Sequence, residues 1–127
     1  MEKVLLVAAG GAVGAVARYA LGVQAFRLWG PNWPFGTFIA NVSGGLLMGV
    51  LAGYLAHRGG ADQEKLRVLL GVGVLGGFTT FSAFSLEVAL MVERRTYGQA
   101  FTYATASVLL SMSALFVGLL LARRAFA

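Results

Sequence analysis

The chain has 127 residues, of which 58% are hydrophobic and only 12% charged, with a formal net charge of +5. A soluble domain averages about 45–50% apolar and about 25% charged residues, so this composition excludes a water-soluble fold of this size and predicts an integral membrane protein. The basic residues lie at the ends of apolar runs rather than in a stripe with interleaved polar surface, which argues against nucleic-acid binding.

Charged segments divide the chain into four long apolar stretches, and these are the predicted transmembrane spans: 4–26, 35–56, 66–92 and 99–122. An α-helix rises about 1.5 Å per residue, so each stretch can cross the roughly 30 Å of hydrocarbon in a bilayer. We therefore expect an all-α membrane protein of four transmembrane helices, built as a single domain over 1–127. Four spans put both termini on the same side of the membrane.

The first span combines small residues with one charge. Gly10, Gly14 and Gly22 fall on one helix face, and Arg18 belongs to the same series. Small residues at this spacing predict close helix packing, and a charge within a span usually faces a partner or water. The alternative for Arg18 is snorkelling to the headgroups. Residues 15–17 resemble a signal-peptidase site, but apolar sequence resumes after Arg18, which favours a retained span.

The orientation of the spans is read from the basic residues outside them. Six lie on the side of the termini and three on the other side: Lys3, Arg58, Lys65, Arg67, Arg123 and Arg124, against Arg27, Arg94 and Arg95. Because loops rich in Lys and Arg stay in the cytoplasm, this bias favours cytoplasmic termini.

The second span carries another series of small residues. Gly45, Gly49 and Gly53 continue a helix face that begins with Thr37 and Asn41. This spacing again predicts a surface on which another helix packs closely.

The third span is interrupted by GGFTTFSAFS, residues 76–85. A Gly-Gly step followed by two threonines is poor helix material, and in lipid an interrupted helix survives only where its freed backbone groups are buried or line a cavity. The segment therefore predicts a helix broken within the membrane. Freed carbonyls can bind a cation, and phenylalanine ring edges can face an anion, so the predicted chemistry is ion handling.

The fourth span carries hydroxyl groups at every fourth residue, at Tyr103, Ser107 and Ser111. Residues four apart lie on one helix face, so these three predict a polar track along the helix. A single helical serine would carry no such meaning, because it often bonds back to the carbonyl four residues earlier.

Three segments of the chain resemble the Fluc (CrcB) family of bacterial fluoride channels: GAVGAVARY at 11–19, GTFIANVSGGLLMG at 36–49 and GGFTTFSAFSLE at 76–87. The third is the most specific. The resemblance implies an antiparallel homodimer with two pores, made of subunits inserted in opposite orientations in the bacterial inner membrane. Such a dimer passes fluoride passively out of the cytoplasm.

The resemblance also implies roles for particular residues. The backbone carbonyls of Gly76 and Thr79 would hold a central structural sodium ion shared by two subunits. Arg18 would raise the anion concentration in a vestibule. The fluoride pore would be lined by ring edges and hydrogen-bond donors: Asn41, Phe81, Ser82, Phe84, Tyr103, Ser107 and Ser111. Ala83 and Leu46 depart from a hydroxyl residue and a phenylalanine common in the family. The first departure removes a possible donor, which predicts slower conduction.

Two other functions are compatible with four spans. A proton-coupled multidrug exporter would need a carboxylate deep in the membrane, and Glu87 is the one candidate. A non-transporting scaffold would use the glycine surfaces only for assembly. An enzyme is not expected, because His57 is the sole histidine, there is no cysteine, and no carboxylate pair or nucleophile motif is present.

Overall fold

The structure is a computed structural model that describes all 127 residues, and every regular element in it is helical. The four spans are Glu2–Trp29, Phe35–Arg58, Gln63–Glu93 and Tyr97–Phe126, each long and apolar enough to cross a membrane. The first two spans are the helices α1 (Glu2–Trp29) and α2 (Phe35–Arg58). The prediction of an all-α, four-span protein is confirmed.

The third span is assembled from several helical pieces: α3 (Gln63–Leu66), a π-helical segment (Arg67–Leu75), α4 (Gly76–Phe78) and α5 (Ser82–Glu93). The fourth span is one helix, α6 (Tyr97–Phe126). The predicted break is confirmed, and it lies between Phe78 and Ser82. Thr79 has an extended backbone, with φ −89° and ψ 160°.

The two glycines before the break remain helical, and the chain leaves the helix only at the threonines. The small size of Gly77, and of Gly73 in the preceding segment, serves packing instead. A Cβ on Gly77 would lie 2.7 Å from the carbonyl oxygen of Gly11, and one on Gly73 would lie 3.0 Å from the Cα of Gly10. The backbone of α1 therefore lies directly against the third span.

The π-helical segment had no counterpart in the sequence predictions. A π-helix is rare and usually limited to a single turn, and it is frequent near functional sites. Here it covers nine residues immediately before the break. Its buried residues include Gly71 and Gly73, so the widened turns remain covered by neighbouring helices.

Helices α2 and α6 form the most extensive contact between elements, through the small residues predicted for α2. A Cβ on Gly45 would lie 2.7 Å from the carbonyl oxygen of Ser111. Gly49 and Gly53 approach the backbone of Leu115 and the side chain of Ala122 in the same way. The predicted packing surface is therefore present.

Only 19 of the 127 residues are buried within the chain, and many large apolar side chains are exposed. A soluble domain would expose far less contiguous apolar surface, because water penalises it. The exposed surface suits contact with lipid or with another membrane-embedded chain.

Candidate functional site

Asn41 on α2 holds the backbone of the helix break. Its Oδ1 accepts a hydrogen bond from the Thr80 amide at 2.8 Å, and its Nδ2 donates to the Thr80 carbonyl oxygen at 3.0 Å. A single side chain thus satisfies both backbone groups of the residue at the centre of the break. In hydrocarbon, where no water can replace these bonds, each unsatisfied group would cost several kcal/mol.

The break deprives several carbonyls of their α-helical partners, among them those of Gly76 and Thr79. In a continuous helix, Gly76 and Thr79 would accept from the amides four residues later, which are those of Thr80 and Ala83. The Thr80 amide bonds to Asn41 instead, and the Ala83 amide bonds to the Thr80 hydroxyl at 3.0 Å. Gly76 and Thr79 are the residues for which the family resemblance implies sodium binding. Neutral backbone oxygens suit a monovalent cation, so the donor set fits that ion.

No group of three or more His, Cys, Asp or Glu residues is arranged to hold a metal ion.

Arg18 points toward the break. Its Nε donates to the carbonyl oxygen of Gly77 at 3.3 Å. The side chain also lines a cavity of about 540 Å³, together with Arg27 and Thr37. This bond favours an inward-facing Arg18 over snorkelling, and the role of the cavity as a vestibule stays a prediction.

A groove of about 390 Å³ lies between α2, the break and α6. It collects most of the predicted pore residues, namely Asn41, Phe81, Phe84, Ser107 and Ser111, and it also reaches Thr79. Phe81 is 77% exposed, whereas Phe84 is buried, and their ring centroids are 5.7 Å apart. The groove is therefore bordered by two aromatic rings and by polar groups from three elements.

The hydroxyl oxygens of Ser107 and Ser111 are buried and have no hydrogen-bond partner within the chain. By contrast, Ser43 on α2 bonds back to the Ile39 carbonyl at 2.6 Å, as helical serines commonly do. Because a buried polar group without a partner is costly, these two hydroxyls are available to bond an ion, a water molecule or another chain in the groove.

Tyr103 and Ser82 do not line this groove. Tyr103 is fully buried, and its hydroxyl donates to Glu87 Oε1 at 2.8 Å. Thr37 donates to the other oxygen of the same carboxylate, also at 2.8 Å. Ser82 is exposed, with its Oγ 3.2 Å from the Thr80 hydroxyl oxygen. The predicted track of three hydroxyls is thus divided into two environments.

Sequence reasoning did not identify the cluster of Thr37, Glu87 and Tyr103. It treated Glu87 as a candidate coupling carboxylate, whereas both carboxylate oxygens accept hydrogen bonds inside the chain. The usable signal was the position of Thr37, four residues before Asn41 on the same face of α2.

The chain is similar in sequence to known proteins over almost its whole length. Residues 5–119 match the family model described as "CrcB-like protein, Camphor Resistance (CrcB)". The chain is 73% identical over 126 residues to a protein of Caulobacter sp. (strain K31) named "Fluoride-specific ion channel FluC", covering 99% of this chain and 98% of that protein. It is 72% identical, over the full length of both chains, to the protein of the same name from Phenylobacterium zucineum (strain HLK1).

Proposed function

Because the chain belongs to the CrcB family, we propose that it is a fluoride-selective channel through which fluoride leaves the cytoplasm passively. It is a multi-pass protein of the bacterial cell membrane and not an enzyme. The proposal draws its substrate from relatives that are more than 70% identical and are named fluoride-specific channels.

The observation that carries the proposal is the pair of unpartnered hydroxyls in the groove, those of Ser107 and Ser111. Fluoride is small and strongly hydrated, so a pore that removes its water must supply hydrogen-bond donors at fixed positions. The hydroxyls are such donors, and the positive edges of the Phe81 and Phe84 rings offer further favourable contacts to an anion. A larger halide gains less from closely spaced donors, which would make the groove selective.

Liposomes containing the protein and loaded with fluoride are expected to release it when the membrane potential is allowed to dissipate, whereas liposomes loaded with chloride retain their contents. Empty liposomes provide the baseline for leakage. An ion-selective electrode records both halides in the same preparation. Equal release of fluoride and chloride would refute the proposed selectivity.

Removing one unpartnered hydroxyl is expected to slow fluoride without destabilising the fold. In Ser111→Ala no intrachain hydrogen bond is lost, so the melting temperature should stay at the wild-type value. A hydrogen bond to a charged group contributes about 1.5–3 kcal/mol, so its loss along the ion path should reduce the fluoride flux about tenfold or more. Ser113→Ala, on an exposed position of α6, is the matched control. A wild-type flux in Ser111→Ala would contradict the proposed role.

The functional unit of the proposal is an antiparallel homodimer around a central sodium ion. Each chain supplies two carbonyls without α-helical partners, those of Gly76 and Thr79, and four ligands therefore require two copies. Gly76 and Phe81 are exposed in the single chain, which leaves this region open to a second copy. Opposite insertion of the two copies would give two equivalent pores, although six basic residues lie on one side and three on the other.

The two other candidate functions are less well supported. A proton-coupled exporter needs a carboxylate free to exchange protons and substrate, whereas both oxygens of Glu87 are hydrogen-bonded within the chain. A scaffold that only assembles with partners would not account for relatives that are more than 70% identical and are named fluoride-specific ion channels.

A further inference from the structure

Trp33 lies in the connection between α1 and α2, yet it packs against the inside of the protein. Its ring is half-buried, and it meets the ring of Tyr103 edge-on, with 5.0 Å between centroids and an interplanar angle of 79°. It also meets Phe38 of α2 edge-on at 4.9 Å. Trp29 is 51% exposed, and its ring meets only that of Phe35, with 5.4 Å between the centroids. The two tryptophans therefore occupy different environments, and only Trp33 reaches the site.

The loop that carries Trp33 is hydrogen-bonded to α6 and to the start of α2. The side-chain amide of Gln99 on α6 donates to the Asn32 carbonyl oxygen at 2.7 Å. The Phe35 amide donates to the Trp33 carbonyl oxygen at 2.8 Å. The backbone around the ring is thus held in place, so the indole can act as a rigid wall.

Tyr103 is held between two aromatic walls. Phe84, which lines the groove, lies 5.2 Å from the Tyr103 ring, and Trp33 lies 5.0 Å from it. A tyrosine has only two side-chain torsions before its hydroxyl, so the walls that fix the ring also fix the position of the hydroxyl. That hydroxyl is the donor to Glu87.

We propose that Trp33 is a positioning residue for ion conduction: its ring holds Tyr103 so that the phenol reaches Glu87, and this bond fixes α5, the helix that carries Phe84 beside the groove. The inference rests on the proposed channel function. Trp33 itself does not line the groove and does not touch the ion. It acts through Tyr103, from the loop between α1 and α2.

A double-mutant cycle on fluoride efflux tests this proposal. The favourable contact energy of edge-on aromatic pairs is large enough that Trp33→Leu should slow efflux about two- to tenfold. In the Tyr103→Phe background, which lacks the hydroxyl to be positioned, the same substitution should have little further effect. Trp33→Phe, which keeps a ring, should restore most of the flux. Trp29→Leu is the matched control and should conduct as the wild type does.

The cycle separates positioning from a general structural role. A residue that only stabilised the loop would slow efflux by the same factor with and without the Tyr103 hydroxyl, and such additivity would overturn the inference. If Trp33→Leu does not fold, the cycle is run with Trp33→Phe. Its smaller loss must then also disappear in Tyr103→Phe, and persistence of the loss would overturn the inference in the same way.

A second measurement does not depend on transport. The chain has two tryptophans, so Trp29→Phe leaves Trp33 as the only indole. Tyr103→Ala in that background should increase the quenching of Trp33 fluorescence by acrylamide, because one face of the indole becomes open. Unchanged quenching would refute the contact on which the inference depends. A protein that shows this quenching but passes no fluoride would refute the channel proposal and leave the contact intact.

Discussion

Replacement of Asn41 by alanine is expected to abolish fluoride efflux and to lower the free energy of unfolding by about 2–6 kcal/mol. The substitution removes the partner of both the Thr80 amide and the Thr80 carbonyl. Each buried backbone group left unsatisfied costs about 1–3 kcal/mol, and two are affected. Efflux should be lost because the break also sets the positions of Phe81 and Phe84 beside the groove. Fluoride efflux from liposomes and chemical unfolding in detergent measure the two effects.

The stability of the variant distinguishes two roles for Asn41. The family resemblance implies that the amide donates directly to fluoride, and a residue with that role alone would lower the flux without changing stability. The hydrogen bonds to Thr80 predict that flux and stability fall together. Asn41→Asp keeps the acceptor for the Thr80 amide and loses the donor, so it should be less destabilised than Asn41→Ala. Its carboxylate should still repel the anion.

Asn32→Ala is the matched control for this series. Asn32 is exposed, and only its backbone carbonyl is hydrogen-bonded, so this variant should retain the wild-type flux and stability. An Asn41→Ala protein as stable as the wild type would contradict the structural role described here.

Sequence reasoning identified the break in the third span but not what holds it. The Gly-Gly-Phe-Thr-Thr segment is locally poor helix, and hydrocarbon requires that freed backbone groups have partners, so a break and candidate carbonyls were predictable. Asn41, which takes the Thr80 backbone groups, is 39 residues away along the chain. That pairing depends on how α2 packs beside the third span, which no local signal encodes.

Helix geometry explains why the predicted hydroxyl track is divided. An α-helix has 3.6 residues per turn, so each step of four residues turns the side chain by about 40°. Across the eight residues from Tyr103 to Ser111 this amounts to about 80°, enough to move from one neighbouring element to another. Tyr103 accordingly faces Glu87, whereas Ser107 and Ser111 face the groove. The π-helical segment, which follows no recognised sequence pattern, could not be predicted at all.

Alanine substitutions at Gly76 and Gly77 are expected to have different effects, on the dimer and on the single chain respectively, although the residues are neighbours. A Cβ on Gly77 would lie 2.7 Å from the carbonyl oxygen of Gly11, a backbone atom that cannot move aside easily. Overpacking of this kind costs about 1–3 kcal/mol, so Gly77→Ala should destabilise the single chain. A Cβ on Gly76 would meet only the Gly71 carbonyl oxygen, at 3.5 Å, so the single chain should tolerate Gly76→Ala.

If two chains meet around a sodium ion at the break, Gly76→Ala should instead weaken the dimer, because its new methyl group lies on an exposed residue at the proposed contact. We expect a larger monomer fraction in detergent and little fluoride efflux. The dimer that remains should no longer depend on sodium, which is tested by exchanging sodium for a large organic cation. Gly98→Ala is the control, since nothing lies within 4 Å of its Cβ position. A Gly76→Ala protein that remains dimeric, conducts fluoride and responds to sodium as the wild type does would rule out a shared ion at this carbonyl.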